Sequence, residues 1–157
     1  MALAEPAWKR RADALLGVGA AAILLAMMLL TVVDVVARYV FNRPVRGAFE
    51  VTELMLVVLI FAGLPLVSFS DEHAVMDFID RGLGLRAQRA LGRAVQAVSA
   101  AFMFLMAWLT WLKADRIWAY RDATDVLRVV YGPFVYFMAG TLALAGVIHL
   151  YKVVERR

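Results

Sequence analysis

Four long apolar runs, separated by short polar links, dominate the pattern of hydrophobic and polar positions along the chain. The runs extend over residues 14–41, 51–69, 90–112 and 129–151. Each comes close to the ~20 residues that an α-helix needs to cross the ~30 Å hydrocarbon core of a bilayer. The pattern therefore predicts an all-α integral membrane protein, in which four transmembrane helices form a bundle and a single domain over residues 1–157.

The composition agrees with this prediction. Of the 157 residues 64% are hydrophobic, and the mean hydropathy is +0.75, whereas soluble domains are about half apolar. A core of this size cannot bury the surplus, so we expect lipid to cover part of it. The chain has no cysteine, which excludes disulfides and thiolate metal sites. The net charge of +4 is spread over several links, so no dense basic face for nucleic acid is expected.

The lysines and arginines are distributed unevenly between the two sides of the predicted bundle. Ten lie on the side of the termini and the second link: Lys9, Arg10, Arg11, Arg81, Arg86, Arg89, Arg93, Lys152, Arg156 and Arg157. Seven lie on the side of the first and third links: Arg38, Arg43, Arg46, Lys113, Arg116, Arg121 and Arg128. Since cytoplasmic loops carry the excess of basic residues, we expect both termini in the cytoplasm.

The second link has a helical pattern of its own. Its apolar positions recur at helical spacing, with acids and bases between them. This favours a short amphipathic helix in the cytoplasmic interface, between the second and third spans. An amphipathic turn packed under the bundle fits the same pattern equally well. The candidate interfacial residues are His73, Asp77, Phe78 and Arg81.

Charged residues gather at the other side of the predicted bundle. Asp34 and Arg38 are four positions apart near the end of the first run, where a helix brings them together. Glu50 and Glu53 open the second run on one helical face. We expect these four residues to form an ion-pair network that fastens the first two helices together. The alternative is a conduction role, because acids within membrane segments often carry protons or cations.

Other features of the sequence indicate packing and contact surfaces. A stripe of small residues at Ala139, Ala143 and Gly146 would allow another helix to approach the fourth span closely. The outer links combine arginines with aromatic residues, which suits either contact with a protein partner or, for the tryptophan, a position at the lipid headgroups. The candidate docking residues are Asn42, Arg43, Arg46, Trp118, Tyr120 and Arg121.

Catalytic and cofactor chemistry have little support in the sequence. No ordered Ser–His–Asp set, metal-spaced cluster or glycine-rich phosphate loop is present. The histidines at positions 73 and 149 are the ligands that a bis-histidine haem would require, but His73 follows a polar segment. We therefore expect no cofactor and no enzymatic activity. A haem- or quinone-binding redox anchor stays open as an alternative, as does a stand-alone ion-coupled carrier.

The order of these features resembles the small Q-type (DctQ-like) subunit of tripartite ATP-independent periplasmic (TRAP) transporters. The resemblance rests on "RYVFNRP" after the first span, "EVTEL" at the start of the second, and "GLPLVS" followed by "HAVMD" at its end. Arg38, Glu50, Glu53, His73 and Asp77 match charged or polar positions of the family pattern. The chain departs from it with Phe49 where a tryptophan often stands, and with the acids at positions 71 and 72.

The resemblance implies a division of labour between three proteins. A periplasmic binding protein captures an organic acid, and a large multi-span (M-type) subunit moves it with a sodium gradient. The small subunit would be a non-catalytic scaffold in the bacterial inner membrane that helps to dock the binding protein. Its expected partners are those two proteins and membrane lipids.

Overall fold

The computed structural model describes residues 7–70 and 85–155. Within them the chain forms four α-helices: α1 (Ala7–Val40), α2 (Ala48–Ser70), α3 (Leu85–Tyr120) and α4 (Gly132–Glu155). Each helix contains a stretch long and apolar enough to cross a membrane: Leu16–Val40, Ala48–Pro65, Ala90–Tyr120 and Gly132–Val154. The prediction of four long apolar helices is confirmed. The predicted interfacial helix, with His73, Asp77, Phe78 and Arg81, lies outside the described residues.

Two helices extend well beyond the apolar runs that predicted them. α1 begins at Ala7 and α3 continues to Tyr120, whereas the hydropathy pattern placed their limits at residues 14 and 112. The extra residues of α3 include Lys113 and Arg116, which are good helix formers although they are charged. Ala114, in the same segment, is fully buried. Packing therefore continues along α3 after its apolar run has ended.

The helices lie in a row in the order α1, α2, α4, α3. α3 packs on α4, α4 on α2, and α2 on α1, and these are the packed pairs among the four described helices. In this row α1 and α3 each have one packed neighbour among the described helices, whereas α2 and α4 each have two. No residue of the apolar stretch of α1 is buried, so most of the surface of this helix is left to lipid or to another protein.

Small residues lie in the most extensive contact of the row, between α3 and α4. Ala100, Ala107 and Ala114 recur every seventh residue of α3, hence on one helical face, and all three are buried. On α4, a side-chain carbon at Gly146 would lie 3.2 Å from the ring of Phe104 in α3. Gly146 belongs to the predicted small-residue stripe, so part of that stripe lies in this contact. The rings of Trp111 and Tyr136 also meet in a T-shaped arrangement, with 5.1 Å between their centroids.

Candidate functional site

Two loops come together at one end of the helix row. They are residues 41–47, between α1 and α2, and residues 121–131, between α3 and α4. We call these two loops and the helix turns beside them the loop end. The opposite end, with the last turns of α2 and α4 and the first turns of α3, is the terminal end. Most of the residues selected from the sequence lie at the loop end.

Asp34 joins the last turns of α1 to the following loop. Its Oδ2 accepts a hydrogen bond from Nη2 of Arg38 at 2.9 Å, so the pair expected from the i,i+4 spacing is formed. Its Oδ1 accepts a hydrogen bond from the backbone amide of Val45 at 2.8 Å. α1 ends at Val40, between these two partners of Asp34 in the sequence. Two residues later, Asn42 has a left-handed backbone with a φ of 54°. Asp34 therefore fixes the path by which the chain returns toward α2.

Glu50 joins α2 to the loop between α3 and α4. Its Oε1 accepts a hydrogen bond from the amide of Val126 at 2.7 Å, and its Oε2 accepts one from the amide of Leu127 at 2.9 Å. Glu50 is 8% exposed. The two bonds resemble a helix cap made between distant segments, because one carboxylate binds two consecutive backbone donors.

The predicted network of three acids around one arginine has a different form in the structure. Arg38 pairs with Asp34, Glu50 binds backbone amides instead of a base, and Glu53 is exposed. Asp34 and Glu50 therefore have separate partners. The carboxylates of Asp34 and Glu50 each connect a helix to a loop through backbone amides. Residue spacing does not predict such bonds, because every residue except proline has a backbone amide.

The loop between α3 and α4 has an ordered backbone of its own. α3 ends in a Schellman motif, in which the amides of Arg121 and Asp122 bond to the carbonyls of Trp118 and Ile117. Beyond it, the amides of Thr124, Arg128 and Tyr131 bond within the loop, and an antiparallel bridge joins its two sides. The side chain of Thr124, 1% exposed, accepts a further bond from the amide of Val129. The loop is therefore folded and holds its amides toward Glu50.

The two loops are also in direct apolar contact. Gly47 has a φ of 76°, and a side-chain carbon there would lie 2.7 Å from both terminal carbons of Leu127. Gly47 is therefore required both for its conformation and for its lack of a side chain. Nearby, burial together with the carboxylates of Glu53, Glu50 and Asp125 raises the pKa of the Tyr131 hydroxyl above its ordinary value of 10.0, so this group stays neutral at physiological pH.

The candidate docking residues divide into exposed side chains and backbone caps. Arg43, Arg46 and Tyr120 are exposed. Trp118 is 57% exposed, and one edge of its indole ring covers Gly132 at the start of α4. Asn42 and Arg121 have left-handed backbones at the ends of α1 and α3, with φ of 54° and 53°, and their side chains are exposed. The sequence identified these residues as surface groups but not the structural role of the last two.

A cavity of about 500 Å³ opens between the end of α1, the start of α2 and the 121–131 loop. Its polar lining includes Asp34 and Glu50, whose oxygens also hold the two loops. The guanidinium of Arg38 lines the cavity too, and its side chain is 60% exposed. Leu30 and Phe49 contribute apolar walls. We call this space the loop-end cavity.

A second polar cluster, at the terminal end, was not predicted. Lys152, 4% exposed, donates a hydrogen bond from Nζ to the carbonyl of Ser68 at 2.5 Å. His149, 9% exposed, lies with its Nδ1 2.6 Å from Oε1 of Gln96. In the sequence Lys152 has the ordinary position of a basic residue that flanks a membrane span, and nothing in the pattern marks it as buried. Within the described residues no group of three or more side chains suited to a metal ion is present.

The comparisons with known proteins bear on residues 27–157. Over these residues the chain matches the family model described as "Tripartite ATP-independent periplasmic transporters, DctQ component". The chain belongs to the DctQ family. The matched region contains Asp34, Arg38, Glu50 and both loops of the loop end, so the predicted resemblance is confirmed. No curated protein and no solved structure gives a match.

Membership of this family states what kind of component the protein is. A DctQ protein is the small membrane component of a TRAP transporter and is not an enzyme. The four apolar helices, each long enough to span a bilayer, agree with a multi-pass membrane protein.

Proposed function

We propose that this DctQ component is the scaffold subunit of a sodium-coupled importer of organic acids such as dicarboxylates. It would bind the large M-type subunit in the bacterial inner membrane and help to dock the periplasmic substrate-binding protein. Both termini would lie in the cytoplasm, and the loop end would face the periplasm. The excess of lysines and arginines on the side of the termini supports this orientation.

The observation that carries the proposal is the open row of helices. α1 has a single packed neighbour among the described helices, and its apolar residues, such as Leu24, Met28 and Val32, are more than half exposed. A row leaves broad apolar faces that another membrane protein can cover, whereas a self-contained carrier would need helices that enclose a pathway. The row therefore supports a subunit that acts by holding another subunit.

The loop end supports the docking part of the proposal. Its two loops are joined by Glu50 and by the contact of Leu127 with Gly47, so their backbones form one folded surface. Exposed arginines such as Arg43 and Arg121 project from this surface. A surface that is already folded loses little conformational entropy on binding, which suits repeated association with a soluble partner.

The carboxylates of the loop end do not support a carrier that works alone. Asp34 and Glu50 use their oxygens to hold Arg38 and backbone amides. Ion pathways need acids that continue through the membrane. Polar residues within the apolar stretch of α3 include Gln96 and Thr110, which are not acids.

Co-purification tests the scaffold role. The tagged chain is co-expressed with the large subunit, extracted in mild detergent and analysed by size-exclusion chromatography with light scattering. A stable complex that contains both proteins is expected. A chain that purifies alone, and that by itself carries out ion-driven uptake in liposomes, would contradict the proposal.

Docking is tested separately with the assembled complex in nanodiscs. Arg121→Gly is suited to this test, because glycine takes the left-handed backbone of Arg121 without strain and should preserve the fold. We expect it to weaken capture of the binding protein while the complex stays intact. Lys113→Ala, at an exposed position of α3 before the loop, is the matched control.

A further inference from the structure

The loop-end cavity lies beside the ends of two apolar helix stretches, where phospholipid headgroups would begin if these stretches span the bilayer. The apolar stretch of α1 ends at Val40, two residues after Arg38, and that of α2 begins at Ala48, two residues before Glu50. At 1.5 Å per residue, each of the two residues lies about 3 Å along its helix from the end of the apolar stretch. The cavity is about 500 Å³, within the range of about 300–1,000 Å³ that is usual for small-molecule sites.

Arg38 presents unused hydrogen-bond donors to this cavity. Its guanidinium has five N–H groups, and the described residues provide an acceptor for Nη2 only, at Asp34 Oδ2. Asp34 is held in turn by the amide of Val45, so the guanidinium is oriented as well as paired. A planar fork of free donors at headgroup depth matches two oxygens of a phosphate.

The rest of the cavity carries negative charge. Asp34, Glu50 and Asp125 line it together with Arg38, the single base among its lining residues. Asp34 and Glu50 are already engaged with the loops, while Asp125 is exposed at the rim. A ligand with a phosphate alone would meet these acids unfavourably. A ligand that also carries a primary ammonium group would be complementary to both signs of charge.

The apolar surface beside the cavity continues into the membrane. Leu30 and Phe49 form part of its wall. Further along the contact between α1 and α2, a second cavity of about 180 Å³ has an almost wholly apolar lining that includes Ile23, Leu59 and Gly63. Five of the nine α1 residues that line the two spaces, at positions 16, 20, 23, 30 and 34, follow the helical repeat and share one face of the helix.

We propose that the loop-end cavity binds the headgroup of a zwitterionic phospholipid with a primary ammonium, namely phosphatidylethanolamine. Arg38 binds the phosphate, Asp125 receives the ammonium, and the acyl chains follow the contact between α1 and α2. The inference depends on residues of this chain and on the membrane depth of the cavity. It does not depend on the proposed function or on which side the loop end faces.

Lipid retention tests the proposal on the full chain in nanodiscs made from equal parts of phosphatidylethanolamine, phosphatidylglycerol and phosphatidylcholine. After release into mild detergent, native mass spectrometry measures the bound lipids. We expect phosphatidylethanolamine to be enriched over the other two lipids. Arg38→Ala should lower its affinity about tenfold, the equivalent of one charge-assisted hydrogen bond of about 1.4 kcal/mol. Arg116→Ala, at an exposed arginine outside the cavity lining, is the matched control and should leave binding unchanged.

Two further variants keep the test decisive if Arg38→Ala fails to fold. Arg38→Lys retains a charge opposite Asp34 but loses the planar fork, so we expect weaker binding in a folded protein. Asp125→Asn should reduce the preference for phosphatidylethanolamine over phosphatidylglycerol. Inorganic phosphate or glycerophosphoethanolamine should not displace the lipid; complete displacement by either would assign the site to a soluble ligand and overturn the proposal. Equal retention of all three lipids, or full retention by Arg38→Lys together with Asp125→Asn, would also overturn it.

Discussion

The carboxylate of Glu50 accepts a hydrogen bond from the backbone amide of Val126, which lies 76 residues further along the chain. The bond joins the first turn of α2 to the loop between α3 and α4; of these two helices, α4 packs on α2 in the row and α3 does not. Together with the bond to Leu127, it makes the two loops of the loop end one unit. The stability of that unit should therefore depend on Glu50 much more than on Glu53, which lies one turn further along α2.

Replacement of Glu50 is the first test of this dependence. Glu50→Ala removes the acceptor of two backbone amides, and we expect the apparent Tm in detergent to fall by about 5 °C. Cleavage of the 121–131 loop by added protease should also become faster. Glu53→Gln is the matched control, because Glu53 lies one turn further on and is exposed. An equal effect of both variants would show that general charge at the start of α2, rather than the bond to the loop, is what matters.

Gly47 provides a second test, in which the conformation and the contact can be separated. Gly47→Ala should destabilise the protein by about 1–2 kcal/mol, because alanine disfavours a left-handed φ, with a further cost from overlap with Leu127. Leu127→Ala should relieve the second cost but not the first, which a double-mutant cycle measures. Gly140→Ala, in α4 with open space around it, should instead stabilise by about 0.5–1 kcal/mol.

The sequence was sufficient for the parts of the structure that depend on local periodicity. The four apolar runs gave the helices, and the spacing of Asp34 and Arg38 gave their ion pair. Helix ends were less well predicted, because the hydropathy of a segment indicates whether lipid or water surrounds it and not whether its backbone is helical. α3 continues through Lys113 to Tyr120 for that reason.

The parts that the sequence did not reveal depend on which segments meet in space. Glu50 was selected as a partner for a base, but backbone amides of a distant loop satisfy it. Lys152 was counted as a flanking charge, but it is buried against Ser68. Every residue except proline has the same backbone donor and acceptor. The backbone partner of a side chain therefore cannot be predicted from residue type or spacing.

Lys152 gives a third prediction, at the terminal end. Its Nζ donates to the carbonyl of Ser68 in the last turn of α2, where helix carbonyls lack partners in the helix itself and the helix dipole favours a cation. Lys152→Met should therefore lower the free energy of unfolding by about 1–3 kcal/mol. Unfolding in mixed micelles with increasing SDS measures the change. Lys113→Met, at an exposed lysine, should stay within about 0.5 kcal/mol of the wild type; a similar loss in both would contradict a specific role for Lys152.

The orientation in the membrane gives the last prediction, and the absence of native cysteine makes it simple to test. Single cysteines can be introduced without background labelling, at Arg43 and Arg121 on the loop end and at Arg156 near the C-terminus. If both termini are cytoplasmic, a membrane-impermeant maleimide added to intact spheroplasts should modify the first two positions, and the third only after permeabilisation. The reverse pattern would place the loop end in the cytoplasm. In that case the exposed arginines of the loop end would be out of reach of a periplasmic binding protein, and the docking role would be excluded even if the large subunit still co-purified.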